Sequence, residues 1–68
     1  MSRQTNTQTG STSNTVTLPI VPAIYSEVCV YINGVLKEEG EDYTISSNVI
    51  TLAYNLLTTD KVTTKYYT

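Results

Sequence analysis

Cys29 is the only thiol in the chain, and no histidine is present to activate it. The commonest general base is therefore missing. Cys29 also falls inside an apolar alternating run, where cysteine acts as a small buried hydrophobe rather than a nucleophile. A single cysteine makes no internal disulfide, and no Cys/His zinc site can be built. Ser26, Ser46 and Ser47 have no base in a recognisable motif. Gly10, Gly34 and Gly40 stand too far apart to cradle a phosphate. The carboxylates Glu38, Glu39, Glu41 and Asp42 could offer oxygen ligands to Ca²⁺, but their spacing does not match an EF-hand loop. A glycosidase-type carboxylate pair would need a cleft that 68 residues can hardly build. The plainer reading is a solvated acidic turn that discourages edge-to-edge aggregation. The residues thus predict a non-enzymatic protein, with no catalytic group, cofactor or metal.

The elements around these residues read as short strands. Val16-Thr17-Leu18 alternates, and Pro19 and Pro22 then confine the chain to an edge or an extended connection. Glu27 to Asn33 is the clearest strand, with Val28, Val30 and Ile32 on one face and Cys29 and Tyr31 on the other. Both faces are apolar, so the second face should also be covered, by this chain or by a partner. Asn33-Gly34 suits a two-residue type I′ hairpin, and Val35-Leu36-Lys37 begins the return strand. An acidic loop turns at Gly40. Tyr43-Thr44-Ile45 and Val49-Ile50-Thr51-Leu52 are strands joined by Ser46-Ser47-Asn48, and Lys61 to Tyr67 alternates as a half-buried closing strand. The expected fold is all-β. It is a small antiparallel β-sandwich or barrel-like sheet of five or six short strands with an extended N-terminal arm.

Residues 1–15 are almost wholly Ser, Thr, Asn and Gln, and residues 16–68 form the β domain. The polar segment cannot bury apolar surface to offset its ordering entropy. It reads either as a flexible tail or as a docking arm that orders on a neighbouring subunit by strand addition. The formal charge of −2 lacks the basic face of a nucleic-acid binder, and Arg3, Lys37, Lys61 and Lys65 are too scattered for a polybasic membrane patch. No apolar run approaches the ~20 residues of a membrane span, and no signal segment is visible. Assembly in a cytoplasm is therefore the expected setting. A core this small supplies only about 3–5 kcal/mol. With disulfide and metal removed, oligomerisation remains as the device that adds to it. The chain has six tyrosines but no Phe or Trp. Tyr31, Tyr43 and Tyr66 are expected in the core, and Tyr25, Tyr54 and Tyr67 are the candidate interface residues, because tyrosine can bury its ring and keep its hydroxyl wet.

Val30-Tyr31-Ile32-Asn33-Gly34-Val35-Leu36, Asp42-Tyr43-Thr44-Ile45, Asn48 to Leu52, Asp60 to Thr63 and Tyr66-Tyr67 together resemble a module of tailed-bacteriophage virion proteins. There a strand ends in Asn-Gly, a loop leads to Asp-Tyr-Thr, and a hairpin precedes a closing strand that begins near Asp. The likeness covers about residues 27–67. It departs from the usual pattern at Thr59, where glycine is common. Such modules occur in head decoration, head-fibre and tail-fibre proteins, often as trimers. The resemblance implies a virion structural subunit, a capsid decoration, cement or head-fibre protein. Its arm would bind the major capsid protein or another virion protein, and its β domain would form a homo-oligomer. The alternative it implies is a tail or neck appendage that binds host carbohydrate, for which exposed tyrosines should cluster in one groove.

Overall fold

The computed structural model describes residues 2–68 of the chain. The strands are β1 (Arg3–Gln8), β2 (Thr15–Thr17), β3 (Cys29–Ile32), β4 (Val35–Lys37), β5 (Tyr43–Ser46), β6 (Val49–Leu52) and β7 (Val62–Tyr67). They form a four-stranded sheet in the order β1-β7-β3-β4 and a three-stranded sheet in the order β2-β6-β5. All strand pairings in both sheets are antiparallel. The fold is a small all-β one, as the alternation predicts.

The core lies between the two sheets. Val28 leads into β3, whose Val30 and Ile32 face inward beside Val62, Thr64 and Tyr66 of β7. Val16, Tyr43, Ile50 and Leu52 meet them from the other sheet. Leu18 and Leu56, from the connections, close the same cluster. The buried Tyr43 hydroxyl donates to the Val28 carbonyl at 3.2 Å, which ties β5 to the entry of β3. Burial, and then the nearby Glu39 charge, hold that phenol proton more firmly than usual.

Among the described residues, one buried side-chain polar atom is unpartnered. Thr64 is fully buried, and its Oγ1 has no hydrogen-bond partner. A buried hydroxyl without a partner costs about 1–3 kcal/mol. Thr64→Val keeps the shape and β-branching and removes that cost, so it is expected to raise the melting temperature by several degrees. A lower melting temperature would mean that the hydroxyl is satisfied in solution.

The N-terminal segment departs most from expectation. Within it, Arg3–Gln8 is an edge strand paired with this chain's own β7 over six register pairs, from Arg3↔Tyr67 to Gln8↔Val62. The described residues consequently hold seven strands, one more than the largest number expected. The strand expected from Glu27 begins only at Cys29, because Tyr25–Glu27 forms a 3-10 turn closed by the Glu27 and Val28 amides on the Ile24 and Tyr25 carbonyls. Tyr31 is not a core residue. Together with Cys29, it lies half-buried on the outer face of the four-stranded sheet.

Candidate functional site

Two turns meet at one end of the four-stranded sheet. Ile32 pairs with Val35, so Asn33-Gly34 is the two-residue link of the β3–β4 hairpin. Both residues are left-handed, with φ of 53° and 83°, as a type I′ turn requires. The turn leaves the Asn33 side chain free to reach the start of β7. Its Nδ2 donates to Asp60 Oδ1 at 2.9 Å, and its Oδ1 accepts from the Lys61 amide at 3.0 Å. The Asn33 amide donates to the Lys61 carbonyl at 2.8 Å. Asp60 Oδ2 also accepts from the Leu57 amide at 2.9 Å. That backbone bond first, and then the Asn33 bond, hold the Asp60 carboxyl below its ordinary value. This clasp gives the Asn-Gly and Asp positions a folding role.

The acidic loop satisfies itself in a similar way. Asp42 Oδ2 accepts from the Glu38 amide at 2.9 Å, and the Asp42 amide donates to the Glu38 carbonyl at 2.8 Å. Gly40, at φ 89°, lets its amide reach the Tyr43 carbonyl at 2.7 Å. Among the described residues, no three His, Cys, Asp or Glu side chains converge on a point where a metal ion would sit. Cys29 is a free, half-buried thiol 3.9 Å from the Glu27 carbonyl, rather than the fully buried one expected.

The surface is more informative. On the outer face of the four-stranded sheet the Arg3 guanidinium lies 5.2 Å from the centre of the Tyr67 ring, and the Lys65 ammonium lies 5.7 Å from that of Tyr31. Cation–π contacts of this length hold both cations flat against the sheet. Beside Tyr67 the Arg3 guanidinium holds its proton more firmly than usual. Leu36 is the register partner of Tyr31 and so shares this face.

Leu36 and Val35 are each 58 % exposed, and they sit on β4, an edge strand with one open side. Ile20, Val21 and Leu57 are further exposed apolar side chains. Sequence reasoning did not single out Val35 and Leu36. The available signal was their place on a three-residue return strand after Asn-Gly, too short to be shielded on both sides. The three candidate interface tyrosines occupy different elements. Tyr25 is in the 3-10 turn, Tyr54 lies in the connection after β6, and Tyr67 is near the end of β7. Tyr25 and Tyr54 are largely exposed, while Tyr67 is half-buried beside Arg3.

A groove of about 500 Å³ runs beside β4, lined by Val28, Cys29, Leu36, Lys37, Glu38, Glu39, Asp42 and Tyr43. A smaller one of about 160 Å³ lies between the Gly40–Thr44 and Thr51–Ala53 segments. Each is lined by one tyrosine, the buried Tyr43, and by none of Tyr25, Tyr54 and Tyr67, so neither holds the cluster of exposed tyrosines that carbohydrate binding would call for. No family model matches the chain, and no curated protein matches it.

Proposed function

We propose that the chain is a non-enzymatic structural subunit of a tailed-bacteriophage particle, a capsid decoration, cement or head-fibre protein that self-associates, as a trimer in the arrangement its sequence pattern resembles. The observation that carries the assembly part is the β4 edge, where an open strand displays Val35 and Leu36 beside the exposed acidic loop. Exposed apolar side chains on an open strand edge are a template for association, and the short strand and the acidic loop beside it would restrict that association to a matched partner. The virion part rests on the Asn-Gly and Asp-Tyr-Thr pattern. Contact with the capsid falls to the other open edge of the same sheet, β1, whose outward backbone groups can take an extended segment of a capsid protein. Many repeated weak contacts would then stabilise the shell.

Sedimentation of the purified protein tests the first step. The expected result is an oligomer that moves toward monomer when Leu36→Glu is introduced, because one buried leucine is worth about 1.5–3 kcal/mol. A strict monomer at every concentration would sink the assembly reading. Co-sedimentation with undecorated capsids tests the second step, and failure to bind them would remove the virion role while leaving self-association intact.

A further inference from the structure

We propose that Asn33 is a latent covalent modification site, at which the side-chain amide is converted to a carboxylate by attack of the Gly34 backbone nitrogen, and that the clasp to Asp60 and Lys61 holds this reaction back. The step needs only water. The Gly34 nitrogen gives up its proton to solvent base and bonds to Asn33 Cγ. The Cγ–Nδ2 bond breaks, and the nitrogen departs as ammonia after taking up a proton. Water then opens the cyclic imide at either carbonyl, which leaves Asp or isoaspartate at position 33. Nothing is oxidised or reduced.

Three observations support this. First, Asn33 is exposed and is followed by a glycine, which brings no side chain to obstruct ring closure. Second, both polar atoms of the amide are held across the fold, Nδ2 on Asp60 at 2.9 Å and Oδ1 under the Lys61 amide at 3.0 Å. Holding both atoms restricts the side-chain rotation that ring closure onto the Gly34 nitrogen requires. Third, the product does not fit the clasp. Where an N–H donated to the Asp60 carboxylate, a second carboxylate would stand, and two such groups at hydrogen-bond distance do not both stay ionised without cost. Isoaspartate would also add a methylene to the backbone of a two-residue turn. Modification would therefore loosen the β3–β4 hairpin from the start of β7.

Peptide mass spectrometry, with separation of Asp and isoaspartate, measures the conversion during incubation in mildly alkaline buffer. Folded Asp60→Ala protein should convert about tenfold faster than the folded wild type, the factor one charge-assisted hydrogen bond is worth. Wild type unfolded in urea should also convert faster than when folded. Equal rates for folded wild type and folded Asp60→Ala would overturn the guarding role.

Asn33→Asp, a copy of one product, keeps the idea testable even if Asp60→Ala does not fold. In the wild type the Asp60 carboxyl binds its proton less readily folded than unfolded. Its contribution to stability is therefore full above the ordinary carboxylate range and is lost as pH falls through the lowered folded value. In Asn33→Asp the charged groups near the clasp are the two carboxylates and the neighbouring Lys61. Paired carboxylates bind a proton more readily when folded, so this variant should be less stable than wild type at neutral pH and recover as the pH is lowered toward the carboxylate range. An Asn33→Asp protein with the wild-type melting temperature at neutral pH, or with the wild-type direction of pH dependence, would overturn the claim that the product opens the clasp.

Discussion

Tyr66→Ala is expected to leave the protein largely unfolded at room temperature. Tyr66 is 2 % exposed and sits on β7, between β1 and β3 in the four-stranded sheet. Removing a buried aromatic ring costs about 3–5 kcal/mol, and a core of this size supplies only about as much in total. Circular dichroism with heating is the measurement. A cooperative transition within a few degrees of wild type would show that stability comes mainly from elsewhere, such as an oligomer interface. Tyr66→Phe keeps the ring and should still fold.

A second large effect is expected from proline in β1, with a strong dependence on position. Ser2 and Thr68 exchange both backbone bonds, at 3.2 and 2.9 Å. Bonded pairs alternate along an antiparallel ladder, so the bonded residues of β1 are Gln4, Asn6 and Gln8, whose register partners are Tyr66, Thr64 and Val62. Arg3, Thr5 and Thr7 turn their backbone groups to the open edge. Asn6→Pro removes an amide from the middle of the ladder and leaves the Thr64 carbonyl unpaired, at about 1–3 kcal/mol. A loss of 1 kcal/mol lowers the melting temperature of a domain this size by roughly 4–8 °C. Thr5→Pro takes away only an edge amide and should cost much less. If the two prolines cost the same, β1 is not paired with β7 in solution. The contrast also bears on capsid binding. Deleting the N-terminal segment would remove a strand of the fold along with any docking surface, whereas Thr5→Pro alters the outward edge and leaves the ladder in place.

The parts of the fold that were legible in the sequence follow from side-chain periodicity and turn chemistry. Val28, Val30 and Ile32, and then Val62, Thr64 and Tyr66, alternate because one side of each strand faces the core. Asn33-Gly34 is readable because few other pairs accept two left-handed residues in succession. β1 was not legible, for a physical reason. The side chains it turns to the inner side are Gln4, Asn6 and Gln8, and backbone bonds rather than apolar burial place it. Ser47 carries no composition signal for its φ of 55° at the β5–β6 turn. Tyr31 and Cys29 look like core residues only if a second layer is assumed over the outer face. In the fold that face meets Arg3 and Lys65 instead. The clasp was half legible: Asn33 and Asp60 stand out as turn residues, but their meeting across 27 positions is a tertiary fact.

The bonds between Ser2 and Thr68 set the two ends of the described chain side by side. They lie at the far end of β7 from the Asn33-Gly34 turn, about 20 Å away for a six-residue strand. A domain with adjacent ends tolerates cyclisation and rearranged chain order. A short linker joining residues 2 and 68 would run β1 and β7 on as one hairpin, and a ring so made could be reopened at the exposed Tyr54-Asn55 in the connection after β6. The whole unit could also be spliced into a surface loop of another protein. Both strands of the splice would enter at one point, and the β3–β4 tip would project outward.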